Sequence, residues 1–202
     1  MNNTRLTVIE QASRLYAEKG YDGVSMRDIA AATGITPASL YHHFSDKEQL
    51  VRESLAYVFS QRAAPLETLL TSNQTPTEKL RAFVNWFAHL MCEDKIFTSL
   101  LARELLDADK ARLAYLAETV LNRPFSLITR IFGRQASLND PVMPAISVIS
   151  LIFGHVQMAA VLPFLPGIRA RHLAPEAIAR QVFSLLSLTL SDAEEESCER
   201  NE

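Results

Sequence analysis

The residues best suited to chemistry lie in one short run, Thr36 to His43, TPASLYHH. Thr36, Ser39, Tyr41 and His42 offer hydroxyl or imidazole groups, Ala38 offers a bare methyl, and no large aliphatic stands among them. Leu40 and Phe44 are four apart and share the other side of the same short helix. Thr36 is a good cap, and Pro37 at the first helical position gives up no hydrogen bond. A helix this short does not hold itself in water, so its apolar side must be mounted on neighbours, which leaves the polar side free. A short helix at a turn, with small hydrogen-bonding residues near its N-terminus, suits the major groove of DNA. Its N-terminal amides and hydroxyls can also take phosphate oxygens.

The flanking residues supply the mounting. Ser25 caps a preceding helix with Asp28 at capping-box spacing, Ile29 and Ala30 begin its apolar face, and Thr33-Gly34 ends it. Ser45, with Glu48 three residues on, opens the helix that follows. The strings Met26-Arg27-Asp28-Ile29-Ala30, Gly34-Ile35-Thr36, Leu40-Tyr41-His42-His43-Phe44 and Lys47-Glu48-Gln49-Leu50 together resemble the DNA-binding domain of the TetR family of bacterial transcriptional regulators. The resemblance runs without gaps over residues 5–52, about a quarter of the chain. It implies a homodimeric, mostly repressing regulator that binds double-stranded operator DNA and a small-molecule effector. Carried over residue by residue, it assigns DNA contacts to Arg27, Thr36, Ser39, Tyr41, His42, His43 and Lys47; Ala38 joins them as a bare methyl able to meet a thymine methyl. Ala38 and Ser39 are expected nearest the base edges, and Tyr41, His42, His43 and Lys47 on phosphates. Neither Ala38 nor Ser39 makes a bidentate base contact, so specificity is expected to lean on phosphate register and DNA shape.

The rest of the chain reads as helices. Nearly every apolar run has helical spacing, and a hydrophobic fraction of 48% is ample for a core. The fold class is all-α, with about nine helices: a helix-turn-helix domain over residues 1–52, a ligand-binding and dimerisation domain over 53–190, and an acidic, disordered tail over 191–202. The net charge of −3 gives no general DNA affinity, but the tail contributes −5 of it and leaves +2 for the remainder. A local basic edge of Arg27, Lys47 and Arg52 is expected instead. Cys92 and Cys198 have neither metal nor disulfide spacing, and no leader peptide is visible, so a reducing cytoplasm and no cofactor are expected.

Two prolines are expected to interrupt helices: Pro65 to kink or end the run that starts after Ser45, and Pro124 to kink or split a helix over 110–132. Residues 141–168 carry no Asp, Glu, Lys or Arg. Their prolines, Gly154 and polar residues argue against a membrane span, and burial against core and a partner chain is expected. Ser147, Ser150, Leu151, Gly154 and Met158, with Ile178, Val182, Leu185 and Leu186 of the last helix, are the expected dimer interface, a four-helix bundle as the resemblance implies. Phe59, Trp86, Phe87, Phe97, Leu101, Tyr115, Phe125 and Met158 can line an effector pocket, a reading that rests on the resemblance, since each alone reads more readily as core. Glu104 falls on an apolar helix face, where a carboxylate must find a partner; Arg130, Arg134 or a ligand are the candidates. Helices four and six are the expected movable link between effector and DNA. An architectural bundle without ligand control is the main alternative. An enzyme is the weaker one: there is no phosphate loop or nucleophile elbow, and nothing brings Cys92 and His155 together.

Overall fold

A computed structural model describes residues 3–133 and 140–186. Every regular element among them is helical. In order they are α1 (Asn3–Lys19), α2 (Met26–Thr33), α3 (Pro37–His43), α4 (Lys47–Thr71), α5 (Pro76–Glu93), α6 (Lys95–Asp107), α7 (Lys110–Leu116), a π turn (Ala117–Leu121), α8 (Asn122–Phe132) and α9 (Val142–Met158). Helix α10 follows over residues 175–186. The expected acidic tail and Arg134 lie outside the described residues. No described helix is long and apolar enough to cross a membrane.

The described residues form two compact units: one from those up to Ala64 with Asp94–Asn122, the other from Pro65–Glu93 with those from Arg123 onward. In the first unit α1 packs on both α2 and α6. Val8, Ile9, Ala12 and Tyr16 supply its buried face. Arg103 of α6 crosses to the end of α1, its Nε donating to the Ala17 carbonyl at 3.1 Å and its Nη2 to the Glu18 carbonyl at 2.7 Å. These are the carbonyls that a helix C-terminus leaves without partners.

The caps follow the sequence closely. Ser25 and Asp28 form a reciprocal capping box, and Gly34 closes α2 at φ 68°. Gly34→Ala should lower stability by about 1–2 kcal/mol, read as a drop in Tm. The cause is backbone strain alone, because nothing lies within 4 Å of the added methyl. One cap differs from expectation. Asp46, not Ser45, caps α4: its carboxylate accepts from the Gln49 amide at 2.7 Å, while the Gln49 side chain reaches back to the Ser45 amide, also at 2.7 Å. The box is shifted by one residue, which leaves Glu48 to face Arg52.

At neither proline does the helix end, so the expected breaks are corrected. Helix α4 continues through Pro65 to Thr71; the proline forfeits only the bond to the Gln61 carbonyl, and the boundary between the units falls there. At Pro124 the helix does not split. The π turn Ala117–Leu121 lies just before it, and Val120, whose carbonyl would have bonded the missing Pro124 N–H, sits in that widened turn.

In the second unit α5 buries Leu80, Phe83, Val84, Phe87, Ala88 and Met91, and packs on α9. From α9 come Ala145, Val148 and Ile152, and from α10 Ile178, Ala179, Val182 and Leu186. His89 joins α5 to α10: its Nδ1–H donates to the Asn85 carbonyl at 2.9 Å and its Nε2 lies 3.3 Å from Glu176.

Candidate nucleic-acid interface

Helix α3 is held by its apolar side and shown by its polar side. Leu40 and Phe44 are fully buried, worth about 1.5–3 kcal/mol each. Arg5, paired with Glu53, lies 4.6 Å over the Phe44 ring and closes that side. On the other side Thr36, Ala38 and His42 are exposed, Tyr41 is 53% exposed, and Ser39 and His43 are half-buried. Thr36 Oγ1 accepts from the Ser39 amide at 3.1 Å, so its hydroxyl hydrogen stays available to an acceptor. Arg27 projects from α2, exposed. Lys47, half-buried at the start of α4, places its Nζ 3.9 Å from the centre of the Tyr21 ring. Arg52, the third member of the expected basic edge, is engaged by Glu48 at 3.8 Å.

Behind this surface lies a buried ion pair that the sequence indicated only on one side. Glu104 is 4% exposed and accepts from Arg112 Nε at 2.8 Å. The expected partners were Arg130 and Arg134, and Arg130 is exposed; the partner is Arg112, itself 4% exposed. The turn explains it. Asp107 ends α6, Ala108 takes a left-handed φ of 51°, and Asp109 caps α7 by accepting from the Arg112 amide at 2.9 Å. That tight reversal folds Arg112 back over the end of α6, where Asp107 also meets it at 3.3 Å. Two aspartates flanking a short gap, followed by arginine, were the available signal. Burial pushes the Glu104 carboxyl above its usual range, and Arg112 only partly offsets this.

The expected effector-lining residues fall into separate groups. In the first unit Phe59 and Phe97 meet with ring centres 4.7 Å apart, and Leu101, Glu104 and Tyr115 belong to the same unit. Trp86, Phe87, Phe125 and Met158 belong to the second; Trp86 and Phe87 stack on one another at 6.0 Å, and Met158 is 48% exposed. An open groove of about 560 Å³ between α5 and α10, lined by Arg81, Asn85, Arg180 and Phe183 among others, includes none of them. Of the expected interface residues, Ser150, Met158 and Leu185 are exposed, while Ser147, Leu151 and Gly154 are half-buried. Ile178, Val182 and Leu186 are spent on the unit's own core. Met143 and Ile146, which the sequence reading passed over, stand exposed on α9.

A capped helix, a glycine-closed turn and a short second helix displayed by its polar side define a helix-turn-helix protein. Residues 8–54 match the family described as bacterial regulatory proteins, tetR family, a match confined to the DNA-binding end of the chain. The chain is 36% identical over 81 residues to the HTH-type transcriptional repressor KstR2 of Mycobacterium tuberculosis, a match covering 40% of each protein. It is 42% identical over 53 residues to the negative regulator IcaR of Staphylococcus epidermidis, covering 26% of this chain and 29% of that one. The matched stretch thus spans well under half the length of these curated relatives. Among solved structures, AibR in complex with isovaleryl coenzyme A and operator DNA superposes with a TM-score of 0.72 at 24% identity, over 91% of this chain and 97% of that one. FadR from Bacillus subtilis in complex with stearoyl-CoA gives 0.73 at 18% identity, over 90% and 96%. These likenesses extend the same fold over both units.

Proposed function

We propose that this protein is a ligand-responsive transcriptional repressor that binds a palindromic operator as a homodimer and leaves it when a small molecule binds. The observation that carries this reading is α3: mounted by Leu40 and Phe44, with Thr36, Ala38, Tyr41 and His42 outward. Thr36, Ala38, Ser39, Tyr41, His42 and His43 meet the groove and its phosphates, with Arg27 and Lys47 at the edges. The exposed side of α9, with Met143, Ile146, Ser150 and Met158 at helical spacing, together with Leu185 of α10, supplies the dimer contact. The effector class follows from the neighbours that hold isovaleryl coenzyme A and stearoyl-CoA: an acyl-CoA thioester, bound in the helical body. Effector and DNA then weaken each other by equal factors.

The test is fluorescence anisotropy of a labelled duplex from upstream of the gene, against random duplex, across a salt series. Tight, selective binding with dimer stoichiometry, lost on titrating acyl-CoA, supports the reading. Equal weak binding to both duplexes overturns it. Lys47→Ala should weaken binding to every sequence and make the salt slope shallower by about 0.9, the contribution of one phosphate. Ser39→Ala should alter preference among operators and leave the slope alone. An unchanged slope in the Lys47 variant removes it from the phosphate contacts.

A further inference from the structure

Tyr21 sits at the corner between α1 and α2, and two cations from other elements meet its ring. Lys47 Nζ, at the first residue of α4, lies 3.9 Å from the ring centre, and the Arg112 guanidinium lies at 4.8 Å. The ring's negative face attracts both, but two cations on one ring repel each other. The Glu48 carboxylate meets the Tyr21 side chain, but the carboxylates within ion-pair reach of either cation are all on the Arg112 side. Arg112 is surrounded by Glu104 at 2.8 Å, Asp107 at 3.3 Å and Asp109 at 3.8 Å. Lys47 forms no ion pair among the described residues, so its charge is available to an outside anion. The corner is itself fixed. Arg103 packs so close to Gly20 that a side chain there would come within 3.0 Å of its Nη1, and Arg112, 4% exposed, cannot swing away.

We propose that Tyr21 is a positioning residue for DNA binding: its ring, fixed by Arg112, holds the Lys47 ammonium at the start of α4, ready for a phosphate oxygen. A free lysine has four rotatable carbons to order on binding; one already resting on an aromatic face has lost part of that freedom beforehand, and an ammonium on a ring keeps N–H groups for the phosphate. This inference rests on the DNA-binding reading above, with Lys47 as a phosphate contact.

The experiment uses the full chain and a duplex recovered by selection from random DNA with the purified protein. Binding is measured across a salt series for wild type, Tyr21→Phe, the chain carrying pentafluorophenylalanine at position 21, and each of the two in a Lys47→Ala background. Fluorination keeps the ring's shape and reverses the charge of its face, so the fold is retained while the attraction is lost. Tyr21→Phe keeps the ring and loses only the hydroxyl's contact with Glu48, and should bind as wild type. The fluorinated chain should bind about 5–10-fold more weakly and lose much of the single-phosphate share, about 0.9, of the salt slope. In the Lys47→Ala background the two rings should be equivalent. Equal affinity and slope for the two rings with Lys47 present, or an equal loss with and without Lys47, overturns the positioning role. Failure of wild type to select any duplex strikes the DNA-binding reading itself.

Discussion

Glu104→Ala should destabilise the protein by about 3 kcal/mol, at the lower end of the roughly 3–5 kcal/mol seen when one partner of a buried ion pair is removed. The loss comes from Arg112, left 4% exposed with its closest carboxylate gone. It stays at the lower end because Asp107 and Asp109, both more exposed, still face the guanidinium at 3.3 and 3.8 Å. Urea unfolding measures it directly, and a loss under about 1 kcal/mol would place the pair among ordinary surface contacts. Replacing both partners, Glu104→Leu with Arg112→Met, should recover most of the loss, since it leaves no uncompensated charge. The pair also carries a pH signature. Burial raises the folded-state Glu104 carboxyl above its ordinary value, so this group favours folding most when protonated, and that share is lost as pH rises through the folded-state value. Glu104→Gln should remove this dependence.

Ala38→Asp should abolish operator binding, by at least about 100-fold, or roughly 2.8 kcal/mol, while leaving the fold intact. Ala38 is exposed at the second position of α3. A carboxylate there favours the helix, since acidic groups near an N-terminus are stabilising, yet it faces the phosphates on the outward side. Thermal melting and anisotropy on the same samples separate the two effects: Tm unchanged or slightly higher, DNA affinity gone. Retained affinity would mean that α3 does not face DNA. Ala38→Lys in the same assay should bind but with altered selectivity, because a lysine at the position nearest the base edges brings no repulsion and can reach guanine or phosphate.

The parts legible in the sequence were those set by local chemistry. Ser25 with Asp28, Thr36 with Pro37, Thr75 with Glu78 and Asp94 all cap where their side chains and spacing say they should. Leu40 and Phe44 are buried because nothing but a hydrophobic mount stabilises so short a helix. What was not legible depends on how far a helix tolerates a fault and on how it packs. Pro65 and Pro124 each remove one hydrogen bond, and the flanking turns absorb the loss. Asp46 displaces Ser45 as a cap because Gln49 can reach back to the Ser45 amide. Arg112 finds Glu104 only because Ala108 reverses the chain. Of the α10 stripe, Ile178, Val182 and Leu186 are buried in the unit's own core while Leu185 stays exposed, a division that spacing alone does not show.

The clamp of Arg103 on the last carbonyls of α1 bears on how this protein can be taken apart. The helices that carry α3 form one compact body with α6 and α7, which lie some fifty residues further along the chain. A fragment ending at residue 52 would lose Arg103 and Arg112 along with the apolar cover that α6 gives α1. Reading heads should therefore transplant poorly between proteins at the start of α4. A chimera that exchanges residues 1–64 together with 94–122 carries its own supports, and is the exchange expected to keep both fold and DNA preference.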